Sequence, residues 1–202
     1  MPIAINGSGT LTGVSVGGLP DGIVDTDMLA DDAVTAAKSG AGAIVQVTNT
    51  TTDTIQTISA SSAWVDSSIT CAITPSSASN KILISLSVSG EGNASDQNRF
   101  VHRIKKVISG GATTYIAGDE TDRVGLLGRT GDLTQTADTS ASSFSISNYM
   151  DAPSTTSAVT YTLQITYDLA GGAGTYYLNS NASDGSGGPR FVSWITLMEV
   201  VG

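Results

Sequence analysis

The chain has 202 residues, 40% of them hydrophobic and 13% charged, with 23 glycines. That balance excludes a disordered acidic tail, because chains that stay unfolded carry few β-branched residues and more charge. Nine basic against eighteen acidic side chains leave a formal charge of −9 at pH 7, which opposes approach to a phosphate backbone and argues against nucleic-acid binding.

Residues 1–42 stand apart from the rest. Ile3, Ile5, Leu11, Val14 and Val16 alternate with Gly7, Gly9, Gly13, Gly17 and Gly18. So little side chain cannot bury a private core, and the segment needs a partner surface. Over residues 26–38 the pattern predicts a short helix: Asp25 or Thr26 caps it, Lys38, Ser39 and Gly40 close it, and acids precede the base as the helix dipole prefers. Met28, Leu29, Ala33, Ala36 and Ala37 give it a narrow apolar stripe. A helix of ~12 residues is marginal alone, so the stripe is expected to pack against copies of itself in neighbouring chains. Ile3, Ile5, Val14, Met28 and Leu29 are therefore the expected attachment and inter-chain contacts.

From residue 43 to residue 202, serine and threonine alternate with Val, Ile, Leu and Ala, as they do in strands pleated between a core and water. Strands are predicted over residues 44–49, 54–59, 67–74, 81–89, 98–108, 113–117, 142–148, 159–167, 175–179 and 191–200. Separators rich in Pro, Gly, Ser and Asn lie at 74–80, 90–92, 110–111, 152–156, 171–174 and 184–189. Period two is clearest from Ile82 to Val88 and through Tyr161, Leu163, Ile165 and Tyr167, so these two strands should face one core. The fold class that follows is mainly β: an antiparallel, jelly-roll-like β-sandwich preceded by the glycine-rich segment and one short helix. Residues 118–141 form the longest stretch without clear periodicity. They read equally as a functional loop or as a strand near Val124 to Leu127.

Few residues offer chemistry. Cys71 is the lone cysteine and reads as a small buried residue. His102, the lone histidine, reads as a strand-borne surface or inter-chain residue; copies could meet on a three-fold axis around a metal, but no second ligand in the sequence supports that. Arg99, Arg103, Lys105 and Lys106 do not form one patch, since Arg103 and Lys105 share a strand face that Lys106 does not. Blunting a sheet edge is their expected use. There is no nucleophile elbow, phosphate loop or calcium-loop pattern. The expectation is a protein that is not an enzyme and has no cofactor and no metal. No apolar run approaches the ~20 residues of a membrane helix, and no charged leader precedes an apolar stretch, so membrane insertion is not expected.

Four segments carry a resemblance. Residues 19–38 (LPDGIVDTDMLADDAVTAAK), 65–84 (VDSSITCAITPSSASNKILI), 151–161 (DAPSTTSAVTY) and 194–202 (WITLMEVVG) resemble tail-fibre and related ancillary virion proteins of marine and freshwater phages, including cyanophages, and lie in that family's order. The resemblance implies a virion location, a homotrimer and a tip that meets the host surface; the glycine-rich start, which needs a foreign surface to bury Ile3, Ile5 and Val14, adds the expectation that attachment to other tail or baseplate proteins is N-terminal and recognition C-terminal. This chain departs from the pattern in carrying a single copy of the linker, with only residues 1–18 before it. The expectation is therefore a short fibre, or else a capsid decoration, spike or baseplate component. Tip loops, at 118–141 or 181–188, would touch a host glycan through aromatic and charged groups. Near the long loop these are Tyr115, Asp119, Arg123 and Arg129.

Overall fold

A computed structural model describes residues 38–60, 63–94, 100–116, 128–130, 141–167, 174–181 and 190–202. The chain divides into two compact units, Met1–Lys38 and Ser39–Gly202. The expected contacts Ile3, Ile5, Val14, Met28 and Leu29 lie outside the described residues, as does all of the expected helix but Lys38.

The second unit is an antiparallel β-sandwich of jelly-roll-like form, as the alternation predicts. Its strands are β1 (Ile44–Thr52), β2 (Gln56–Ala60), β3 (Val65–Ile73), β4 (Lys81–Ala94), β5 (Phe100–Ile108), β6 (Thr113–Tyr115), β7 (Gly128–Thr130), β8 (Ala141–Asp151), β9 (Val159–Tyr167), β10 (Gly174–Leu178) and β11 (Ser193–Val200). In the first sheet β4 is the spine. Leu83 pairs with Met198 of β11 on one side and Met150 of β8 on the other, while Gly90 pairs with Leu178 of β10 and Ser142 of β8. β1 flanks β11 and β2 flanks β10, completing that sheet. The second sheet runs β3-β9-β5, and β5 carries both β6 and β7 on its other side.

Side chains with period two from the two sheets meet in the core. Ile82, Ile84, Leu86 and Val88 of β4 face Tyr161, Leu163, Ile165 and Tyr167 of β9, all buried, with Ile195 and Leu197 of β11 beside them. Each fully buried aliphatic side chain contributes roughly 1.5–3 kcal/mol. Cys71 belongs to this core, as expected, with its Sγ 3.5 Å from Thr48 Oγ1.

Several expectations are corrected. Gly90 and Gly92 do not separate strands but lie inside β4, because a side chain at 90 would meet the Tyr177 carbonyl at 2.5 Å and the Tyr176 ring at 2.9 Å. His102 is neither a surface nor an inter-chain residue: it points between the sheets, fully buried, stacked on Phe144 at 5.0 Å and edge-on to Tyr176. Copies of a side chain so enclosed cannot converge on a symmetry axis. The basic residues of β5 do not guard an edge, since β9 lies on one side of that strand and β6 and β7 on the other. The stretch 118–141 contains a short strand, β7, just after the predicted position. The C-terminal strand, which its apolar run from Val192 to Val201 leads one to expect buried inside the tip, is buried on one face only: Ile195 and Leu197 point inward, whereas Met198 and Val200 stay partly exposed and Val192 is 53% exposed.

Three polar clusters hold the framework. Glu199, buried at the end of β11, accepts hydrogen bonds at Oε1 from Ser76 N (2.6 Å), Ser76 Oγ (2.8 Å) and Asn80 Nδ2 (2.7 Å). Gln46, with its amide nitrogen turned inward, donates to Glu199 Oε2 (3.2 Å) and to the Thr74 carbonyl (3.1 Å). Burial works to raise the Glu199 pKa, but the bonds from Asn80 and Ser76, with the backbone of Ser77, outweigh it and hold the carboxyl below its ordinary value. At the opposite end Asn179, in the left-handed region (φ 61°), donates to the carbonyls of Thr52 and Thr54 and accepts from Ser193 Oγ at 2.6 Å. Between the sheets Lys106 Nζ meets both Asp151 oxygens at 3.0 Å, and Tyr161 OH donates to Asp151 at 2.7 Å.

Candidate functional site

Of the four residues expected at a receptor, Asp119 and Arg123 lie outside the described residues, and Arg129 falls in β7, where only the backbone is described. Tyr115 is half-buried on β6, and around it the outward face of the second sheet assembles a cluster that the sequence did not single out. The register explains why. Alternation turns Arg103 and Lys105 of β5 outward together, as predicted. Pairing then sets Arg103 beside Gln164 of β9, Gln164 beside Asp66 of β3, and Lys105 beside Tyr115.

Arg103 lies with its guanidinium carbon 3.6 Å from the Tyr115 ring centre and 4.1 Å from that of Trp64. A planar cation over an aromatic face gains about 0.5–2 kcal/mol according to how far water is excluded, and Arg103 is only 8% exposed. Its Nε donates to Gln164 Oε1 at 2.7 Å, and Gln164 Nε2 donates to Asp66 Oδ1 at 2.7 Å. Lys105 pairs with the other oxygen of Asp66. Partial burial works to raise the Asp66 pKa, but the bonds from Lys105 and Gln164, with the charges of Lys105 and Arg103, bring it below the ordinary value. In the next row Thr70 and Thr162 share a hydroxyl–hydroxyl bond at 2.8 Å.

The face therefore presents two half-buried aromatic rings, an exposed carboxylate and a lysine, all positioned by one fixed network. Aromatic surface next to fixed charged donors and acceptors suits hydrogen-bonding, hydroxyl-rich ligands better than apolar ones. Among the described residues no group of three or more His, Cys, Asp or Glu side chains could hold a metal ion. Among the same residues no helix is long and apolar enough to cross a membrane.

No family model matches the chain, and no curated protein matches it in sequence. Among solved structures, a chain from the structure of infectious bursal disease virus, Gx strain, aligns over 78% of this chain at 10% identity and a TM-score of 0.37. The present chain spans 37% of the length of that one.

Proposed function

We propose that this chain is a virion structural protein, a short trimeric tail fibre of a bacteriophage. In this reading residues 1–42 attach it to tail or baseplate proteins, and the sandwich meets a host-surface glycan. The observation that carries the reading is the chemical difference between the two outer faces of the sandwich. The second sheet bears the Trp64, Arg103 and Tyr115 stack with Asp66 and Lys105, whereas the first, from Leu83 to Ser89 and across the strands paired with that stretch, bears apolar and small polar side chains without charge. Such a division suits a subunit that meets its own copies on one side and a polar ligand on the other. The resemblance of residues 19–38, 65–84, 151–161 and 194–202 to phage fibre proteins supports the same reading. Two of those segments also come together in space: Ser76 and Asn80 of one grip Glu199 of another.

The receptor site is assigned to Tyr115 with Trp64 and Asp66, and the reading involves no catalytic step. Virions carrying Tyr115→Ala or Asp66→Asn should adsorb to host cells at least about tenfold more slowly, the loss of one hot-spot contact being worth roughly 2 kcal/mol. Unchanged adsorption with both variants would remove the receptor role. Gold labelling of intact particles separates the alternatives: label on the tail or baseplate appendages supports the fibre, and label spread over the capsid would make the chain a decoration protein instead.

A further inference from the structure

The first sheet has an outward face that the core leaves open. Its register places Val47 of β1 beside Met198 of β11, Met198 beside Leu83 of β4, and Leu83 beside Met150 of β8. One apolar row thus crosses the sheet from edge strand to edge strand. At its ends Val47 is 57% and Met150 44% exposed, and a second short row pairs Ile44, 53% exposed, with Val200. Scattered single apolar residues on a surface need no explanation, but an unbroken row across four strands does.

Part of the polar surface beside this row is already bonded within itself. On its β1–β11 side, Thr51 Oγ1 donates to Asn49 Oδ1 at 2.9 Å, and Asn49 Nδ2 donates to Thr196 Oγ1 at 2.7 Å and to the Ile195 carbonyl at 3.2 Å. Such groups can be covered without leaving orphaned donors or acceptors. Between Leu83 and Ser89, and on the strand neighbours in register with them, no outward-facing described residue carries a charge. Two copies of a chain with formal charge −9 repel each other. A neutral face is where they can meet without opposing like charges. Four strands at about 4.8 Å spacing and eight residues at about 3.3 Å each give a face of about 19 by 26 Å. With side-chain relief, that approaches the area one partner contributes to a standard protein interface.

We infer that this face, centred on Val47, Leu83, Met150 and Met198, packs against the same face of other copies of this chain around the fibre axis. The inference rests on the trimeric reading above and specifies which surface makes it.

The test is the mass of the full chain by light scattering over a range of concentrations, for the wild type and for Met150→Glu, Met198→Glu and Thr160→Glu. Thr160 lies on β9 of the other sheet and serves as the control. Wild type and Thr160→Glu should give the mass of three chains. Each methionine variant should raise the concentration for half-association by about a hundredfold or more, because a carboxylate would be buried without a partner. Far-UV circular dichroism should be unchanged in all four proteins. Met150 lies on an edge strand and is well exposed, so its variant folds even if Met198→Glu does not. Association that persists in Met150→Glu would overturn this face while leaving the trimer standing. A single-chain wild type at every concentration would overturn the trimer and the face together.

Discussion

Replacing Glu199 with Gln keeps the shape of the side chain and removes its charge. Three donors converge on Oε1, from Ser76 N, Ser76 Oγ and Asn80 Nδ2. Hydrogen bonds to a charged group contribute about 1.5–3 kcal/mol each and neutral ones about 0.5–1.5, so the three together should lose about 3 kcal/mol. On the other oxygen the new NH2 opposes the Gln46 amide nitrogen, and turning that amide to accept would give up its bond to the Thr74 carbonyl, so about 3 kcal/mol is the least loss expected. For a domain of this size that is a fall in Tm of about 6–12 °C.

The pH dependence gives a sharper test. The folded pKa of Glu199 lies below its ordinary value of 4.5, so its stabilisation is complete above that value and is lost as the pH falls through the folded pKa. Urea denaturation followed by tryptophan fluorescence should therefore show a constant gap between wild type and E199Q from pH 7 to about 5. The gap should close on further acidification, as the wild-type carboxyl takes up a proton. A gap below about 1 kcal/mol at pH 7, or one that does not change on acidification, would refute the account of Glu199 as a charged clasp.

Two further substitutions probe the interior. Lys106→Met strands Asp151 between the sheets with Tyr161 as its remaining partner. Because both charged side chains keep some contact with water, the cost should be about 3 kcal/mol, towards the lower end for a broken buried pair. Tyr161→Phe removes one hydroxyl bond to the same carboxylate and should cost about half as much, so equal losses in urea melts would show that the ion pair contributes no more than a single hydrogen bond. Gly90→Ala drives a methyl group into the Tyr177 carbonyl and the Tyr176 ring and should destabilise the domain by about 3 kcal/mol; a neutral result in a thermal melt would mean that β4 and β10 can part there without cost.

What could be read in advance depended on whether the signal was local. β4 and β9 announced themselves because Ile82 to Val88 and Tyr161 to Tyr167 alternate in their own sequence, and the opposite facing of Arg103 and Lys106 followed from the same pleat. Gly90 and Gly92 misled because a glycine pair inside a strand looks like a turn until the ring that needs the space is known, and Tyr176 arrives from a distant strand. His102 was misplaced for a related reason: a basic neighbourhood in sequence suggests surface, yet Phe144 and Tyr176 close over it from the opposite sheet. The candidate site was legible in one residue, Tyr115. Trp64, Asp66 and Gln164 join it only through the register of β3, β9 and β5, which no spacing within a single strand reveals. The apolar row was hidden the same way, as one residue from each of four strands.

The pairing of β1 with β11 also has a mechanical meaning. The chain enters the sandwich at Ile44 and leaves it beside that point, with Gly42 N bonded to the Val201 carbonyl and Val201 N to the Ala43 carbonyl. A force that draws Ile44 outward along the axis of β1 slides that strand past β11. The rungs from Ile44 to Thr52 then share the load at once instead of opening one after another. A strand loaded in shear in this way yields only when many bonds fail together.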